Sequence, residues 1–185
     1  NEWFESLDID KINIREPGGN DVSELIRTIL LDKNNRIDSF PETLLFLASR
    51  SQLTDTVIVP ALEKDKFVIC DRFIDSTIAY QGYGRGLDVD LINKINMVAI
   101  QNILPALTIY IDIDVDVSIS RRSDDDNDRM ESGGKDFLSK VRKGYQELVN
   151  LYPDRIKMVN GDNNIINIQK EIISTIREKY KGLIC

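Results

Sequence analysis

The chain has 185 residues, with 24 Lys and Arg against 31 Asp and Glu for a formal net charge of −7, two Cys and no His. Without His it can form neither a Ser-His-Asp nor a Cys-His nucleophile system, and it has no imidazole ligand or general base. The acidic balance argues against a general nucleic-acid binder or a binder of anionic membranes. Two Cys cannot form a disulfide framework, so we expect a cytoplasmic protein. The length predicts a single domain over residues 1–185.

The N-terminal half of the chain predicts alternating helices and strands. In chain order, the predicted elements are the end of an amphipathic helix over residues 1–7, a strand over Lys11–Arg15 that ends at the loop signal Glu16-Pro17-Gly18-Gly19, a helix capped by Asp21 or Ser23, a long helix from Pro41, and a strand over Phe67–Cys70. The last of these is a continuous apolar run, which is typical of a strand buried on both faces of a parallel sheet.

The C-terminal half continues the alternation. Its predicted elements are a helix over 73–81, a loop at Gly82-Tyr83-Gly84-Arg85-Gly86, a helix capped by Asp88 and running to about Leu104, a strand over Leu107–Asp112, a helix from Val115 to Arg122, an exposed mobile loop over 123–134, a helix over Lys135–Tyr152, a strand over Arg155–Val159 and a helix over Asn164–Lys181. Strands that alternate with helices indicate an α/β fold with a parallel sheet.

Ligands of such sheets bind beyond the carboxyl ends of the strands, so the residues that follow each strand are candidate site residues. Arg15 and Arg72 both stand there, and an Arg fork matches phosphate or carboxylate. The alternative is an exposed Arg that caps a helix or pairs with Asp. Phe46 and Arg50 share a helix face, where they can stack a base and bond its edge, or form part of the core with a surface ion pair.

Three further patterns are weaker. The Gly82-x-Gly84-x-Gly86 run lacks the spacing of a dinucleotide fingerprint, and Asp112, Asp114 and Asp116 lack the Gly and Glu of a calcium loop. Arg121, Arg122 and Arg129 flank an acidic run, which is either a loop that closes over a phosphoryl group or a solvated hairpin. The chain contains no G-x-x-x-x-G-K-[ST] cradle for a nucleoside triphosphate.

In order, the segments REPGG, LLFLASRSQ, VICDRFIDSTIAYQGYGRGLD, LTIYIDID, DRMES and DFLSKVRKGYQEL closely resemble bacterial thymidylate kinases over nearly the whole chain. The resemblance implies a three-layer P-loop nucleoside-monophosphate-kinase fold and a homodimer. It also implies transfer of a phosphoryl group from ATP, with Mg²⁺, to dTMP.

The resemblance also implies roles for single residues. At the base, Phe46 would stack on thymine, Arg50 would bond the base edge, and Ser76, Thr77 and Gln81 would read the base, with Tyr80 against the sugar. At the phosphate, Arg72 would hold the acceptor group, with Arg15, Glu16 and Pro17 at the same end, and Asp71 would lie near the metal, through water. A loop near residues 122–134 would form a lid, with Arg121 and Arg122 at its start and Arg129 as the transition-state candidate.

The chain departs from the family at its start, where the family has its central first strand and the P-loop. We therefore expect an N-terminally truncated chain that is inactive alone, with a gap in the sheet. A non-catalytic module that binds thymidine nucleotides is the alternative function. A deoxynucleoside kinase on the same fold fits the DRFxDSTxAYQGYGRG stretch less well.

Overall fold

The computed structural model describes residues 2–5, 7, 9–121, 129–130 and 133–182. Its elements are α1 (Glu2–Glu5), β1 (Lys11–Arg15), α2 (Asp21–Leu31), α3 (Ser39–Leu53), which continues through a π-helical turn (Thr54–Ile58) into α4 (Val59–Leu62), β2 (Phe67–Asp71), α5 (Ile74–Thr77), which continues as a π-helical segment (Ile78–Gly84), α6 (Val89–Ala99), β3 (Thr108–Asp112), α7 (Val115–Ser120), α8 (Gly134–Leu151), β4 (Ile156–Asn160) and α9 (Ile165–Lys179). The predicted α/β fold with parallel strands is confirmed.

The four strands form two parallel pairs. In the first pair, Lys11 of β1 lies opposite Phe67 of β2, and Arg15 lies opposite Asp71. In the second pair, Thr108 of β3 lies opposite Ile156 of β4. Within the described residues, no ladder joins β2 to β3.

A groove of about 1160 Å³ runs between β2 and β3 and is lined by consecutive residues of both strands. Among the described residues, this groove separates the two strand pairs. That the chain lacks a central strand stays a prediction.

The apolar core fills the space around the π-helical segment. One cluster of buried side chains consists of Ile78, Ile92, Tyr110, Leu148 and Ile156. A second consists of Ala79, Val115, Phe137, Leu138 and Val141. Ile78 and Ala79 are consecutive in the segment but belong to different clusters, and α8 contributes side chains to both clusters. This packing holds the segment against the second strand pair.

The predicted loop over Gly82–Gly86 is wrong for its first half, because the helix continues to Gly84. A Cβ on Gly84 would lie 2.6 Å from the Phe137 ring, and one on Gly82 would lie 3.0 Å from Val89. The absence of side chains therefore serves close helix packing and not chain flexibility.

Other boundaries shift by a few residues. The cap of α2 is Asn20, whose side chain accepts a hydrogen bond from the Ser23 amide, and neither Asp21 nor Ser23 is the cap. Helix α6 begins after Asp88 as predicted but ends at Ala99 and not near Leu104. Gln101 and Asn102, with φ of 50° and 61°, turn the chain out of the helix.

The predicted lid falls partly outside the described residues. Residues 122–128, which include Arg122, and residues 131–132 are not among them.

None of the helices in the described part of the chain combines the length and apolar character needed to cross a bilayer.

Candidate functional site

A small pocket lies beyond the carboxyl ends of β1 and β2, as the topology predicts. Its volume is about 90 Å³, and it is lined by Glu16, Pro17, Arg27, Leu31, Phe46, Arg50, Arg72, Ser76, Thr77, Tyr80, Gln81 and Met130. Of the residues predicted at the dTMP site, all but Arg15 are in this lining. Ligand pockets usually measure roughly 300–1000 Å³, so side chains must move apart before a nucleotide can enter.

Arg50 forms the buried floor of this pocket. Its Nε and Nη2 donate to Glu16 Oε2 at 2.8 and 2.5 Å, and its Nη1 donates to Thr77 Oγ1 at 2.7 Å and to Asn96 Oδ1 at 2.6 Å. Helical spacing brings Arg50 to the face that also carries Phe46. The fork is thereby held in one orientation, and the pocket keeps a fixed cation beneath it.

Glu16 is buried beside this guanidinium, and its second oxygen, Oε1, is buried without a hydrogen-bond partner among the described residues. Burial raises the pKa of Glu16, and the charge and hydrogen bonds of Arg50 offset part of that rise. This unpaired oxygen therefore lies buried next to the main cation of the pocket.

Several Arg side chains surround the Pro17 side of the pocket. Arg72 follows β2 with a φ of 65°, and its guanidinium lies 5.0 Å from the centre of the Tyr80 ring. Arg15, outside the lining, donates from Nη1 to the Pro17 carbonyl at 3.2 Å and pairs with Glu24. Together they make this end suitable for a phosphate group.

Sequence reasoning missed Arg27, which lines the pocket and donates to the Pro17 carbonyl at 2.9 Å. A signal was present, because Arg27 stands one helical turn after Ser23, which is fully buried and bonds to the Ser49 carbonyl. That spacing turns Arg27 toward the same loop as Arg15. Asn96 and Glu42, which orient Arg50 and Gln81, were also missed.

Ser76 and Gln81 are held by groups behind the pocket wall. The Tyr145 hydroxyl donates to Ser76 Oγ at 2.8 Å, and burial raises the pKa of Tyr145 to about 12, so it stays a donor at neutral pH. Gln81 Nε2 donates to Glu42 at 2.9 Å. The polar lining is therefore oriented before any ligand arrives.

The two predicted lid arginines that are described, Arg121 and Arg129, do not line the pocket. Arg129 pairs with Glu42 at 2.7 Å and donates to the Leu30 carbonyl at 2.8 Å, although its neighbour Met130 is in the lining. Arg121 donates to the Gly161 carbonyl at 3.0 Å. The catalytic role of Arg129 stays a prediction that would require it to leave Glu42.

Asp71 is exposed at the end of β2 and lines the groove between the strand pairs. Among the described residues, no cluster of three or more His, Cys, Asp or Glu could hold a metal. A single carboxylate suits Mg²⁺, which proteins commonly hold through one or two carboxylates together with substrate phosphates and water. The chemistry of Asp71 is compatible with such an ion, and its role at a metal stays a prediction.

The pocket and the groove adjoin, because Arg72, Ser76 and Tyr80 line both. A buried Arg fork, aromatic side chains and exposed Arg at the ends of parallel strands define an α/β protein of the class that binds phosphorylated ligands at the strand ends.

The comparisons with known proteins identify the family within that class. The family model described as thymidylate kinase matches residues 1–172, so the chain belongs to the thymidylate kinase family. It is 44% identical to the thymidylate kinase of Thermoanaerobacter sp. (strain X514), with 89% of this chain and 81% of the relative covered. It is 41% identical to that of Mycoplasma capricolum subsp. capricolum, with 97% and 86% covered.

A solved structure agrees with the sequence relatives. The crystal structure of thymidylate kinase from Ehrlichia chaffeensis superposes with a TM-score of 0.74 at 35% identity and covers 91% of this chain and 80% of that one. The predicted resemblance and the kinase fold are therefore confirmed, and the family places the chain among phosphotransferases.

Proposed function

We propose that the protein transfers the γ-phosphoryl group of ATP to dTMP and yields dTDP and ADP. The observation that carries the proposal is the pocket lining, because all the residues predicted at the dTMP site except Arg15 line one cavity at the strand ends. Phe46 is half-buried there and can stack a base, and Arg50, Thr77 and Gln81 offer polar atoms for its edge.

The acceptor phosphate would lie toward Arg72, at the boundary between pocket and groove. Arg15 and Arg27 converge on the neighbouring Pro17 carbonyl, which adds positive charge at that end. Phosphoryl transfer depends on positioning and charge neutralisation more than on covalent chemistry, so a chain without His can support it.

Mg²⁺ bound to the phosphates would supply charge neutralisation, and Asp71 is the residue here that could orient its water ligands. An Arg that reaches the transferring group is worth roughly 10³–10⁵ in rate in related systems. Arg72 and Arg129 are the candidates for that role. We further propose that the protein works in the cytoplasm as a homodimer.

A coupled assay of ADP release tests the proposal on the full protein encoded by the gene, with dTMP and ATP·Mg²⁺. We expect turnover that depends on dTMP and a dTDP product. A folded protein that releases no ADP in the presence of dTMP would contradict the proposal.

The alternative function is a thymidine-nucleotide-binding module without catalysis. In that case the pocket lined by Arg50, Arg72 and Gln81 would bind the nucleotide without phosphoryl transfer. Calorimetry with each nucleotide distinguishes the two. Binding of dTMP by the full protein without binding of ATP supports the module, and binding of both supports the kinase.

A further inference from the structure

Glu42 is a buried carboxylate that lies behind the pocket and not in its lining. It stands in the first turn of α3 and is completely shielded from solvent. Three side chains donate to it. They are Gln81 through Nε2 at 2.9 Å, Arg129 at 2.7 Å, and Arg85 through two bonds of 3.3 Å.

Two guanidinium groups, those of Arg85 and Arg129, form ion pairs with this carboxylate. Such pairing offsets the cost of burying a carboxylate charge. An ionised carboxylate only accepts hydrogen bonds. Whatever faces Glu42 must therefore present a donor.

This requirement sets the orientation of the Gln81 amide. A glutamine has one donor end and one acceptor end, and a hydrogen-bonded neighbour decides which way the group points. Since Nε2 is the end that faces Glu42, the carbonyl oxygen Oε1 is the end left for the pocket. Among the described residues, no hydrogen bond engages Oε1.

A carbonyl acceptor that faces the pocket can distinguish thymine from cytosine. Thymine carries a hydrogen on N3 and is a donor at that position, whereas cytosine has a bare N3 and is an acceptor there. We propose that Glu42 is the positioning residue that makes the pocket select thymine over cytosine, by holding the Gln81 amide with its carbonyl toward the base. The inference rests on the proposed dTMP site and adds to it the residue that sets its base preference.

The test replaces Glu42 by its neutral isostere in Glu42→Gln. The new amide can donate as well as accept, so the Gln81 amide becomes free to turn. We measure the dissociation constants of dTMP and dCMP by calorimetry. The preference for dTMP should fall about tenfold or more, the factor that one hydrogen bond is worth.

Arg85→Met is the matched control. It removes one partner of the same carboxylate but leaves Glu42 paired with Arg129 and bonded to Gln81, so the preference for dTMP should stay within about twofold. A double-mutant cycle completes the test. If Glu42 acts through Gln81, the Glu42→Gln change should alter selectivity in the wild type and have no further effect in the Gln81→Met background.

The outcomes separate the inference from the proposed function. A wild-type protein that binds neither nucleotide contradicts the proposed function. A wild-type protein that prefers dTMP, with a folded Glu42→Gln variant of equal preference, overturns the inference alone. If Glu42→Gln does not fold, the Glu42→Gln, Arg85→Met double variant is measured in its place, because it also removes one of the two guanidinium groups that lose their charged partner. The same two results then decide.

Discussion

At the scale of single residues, Arg50 combines a structural and a binding role. It is among the largest fully buried side chains in the described structure, and its donors are divided between Glu16, Thr77 and Asn96. A planar fork can serve all three partners at once, whereas an ammonium group cannot. Both the shape of the pocket and its charge therefore depend on this one guanidinium.

We predict that Arg50→Lys weakens dTMP binding at least tenfold and lowers the free energy of unfolding by about 1–3 kcal/mol, because buried acceptors lose their donors. Calorimetry and urea denaturation measure the two effects. Arg155→Lys is the control, since Arg155 forms a comparable two-bond pair with Asp75 outside the pocket lining. Unchanged dTMP affinity in Arg50→Lys, or an equal loss of ATP affinity, would contradict the base-binding role.

At the scale of elements, the contact between the π-helical segment and α8 decides how tightly the pocket wall is held. Gly84 faces Phe137 and Val141, and Gly144 of α8 faces the Tyr83 ring, so glycines on both helices allow the close approach. Interiors packed this tightly respond to a single methyl group.

We predict that Gly84→Ala lowers the free energy of unfolding by about 1–3 kcal/mol, because its Cβ would overlap the Phe137 ring. Urea denaturation measures the loss. Adding Phe137→Leu should recover part of it by making room. If Gly84→Ala is as stable as the wild type, the glycine serves no packing role.

A second contact of α8 links it to the end of β3. Arg142 donates to both oxygens of Asp112 at 2.9 Å and to Asp114 at 3.1 Å. Burial by itself raises the pKa of Asp112, but the hydrogen bonds from Arg142 and Tyr110 outweigh it and lower the pKa below its ordinary value. Such a group contributes stability above the ordinary pKa of about 4, and the contribution is lost as the pH falls through the lower folded value.

We predict that Arg142→Met lowers the free energy of unfolding by about 1 kcal/mol at pH 7 and flattens its decrease below about pH 4. Denaturation curves across that range measure both effects. Lys135→Met, which breaks the exposed pair with Asp116, should cost less than about 0.5 kcal/mol. A steep acid dependence that persists in Arg142→Met would contradict the assignment.

At the scale of the whole molecule, side chains hold the two strand pairs together. Asp75, after β2, accepts two hydrogen bonds of 2.7 Å from Arg155, before β4, and a third from Thr108 of β3. The Tyr110 ring of β3 stacks on Tyr145 at 4.7 Å, and the Tyr145 hydroxyl donates to Ser76, which follows β2, at 2.8 Å. These links span the two halves and place the pocket beside the groove.

An apolar stripe on α2 supports the proposed homodimer. Val22, Leu25 and Ile29 share one helix face and are 48%, 68% and 45% exposed. A symmetric dimer would bury the same face of both copies.

We predict that Leu25→Glu converts a dimer of about twice 21.1 kDa into a monomer. Size-exclusion chromatography with light scattering measures the mass. Leu151→Glu, at another exposed apolar position that is 62% exposed, should leave the mass unchanged. A wild-type monomer, or a Leu25→Glu dimer, would exclude this face as the interface.

The sequence by itself predicted the alternation of helices and parallel strands and the position of Arg15 and Arg72 at the strand ends. Both are local or topological signals, whereas most other predicted pocket residues came from the family resemblance and Arg27 was missed. Apolar runs such as Phe67–Cys70 mark buried strands, and residues such as Arg15 and Arg72 must lie at the carboxyl edge once the strands are parallel.

Only the tertiary structure decided how those residues are held. The pairing of Glu42 with Gln81, Arg85 and Arg129 joins positions up to 87 residues apart in the printed sequence. The close contacts of Gly84 likewise depend on where α8 lies. Neither follows from spacing or composition, because a buried polar group takes its partners from whatever elements the packing brings near it.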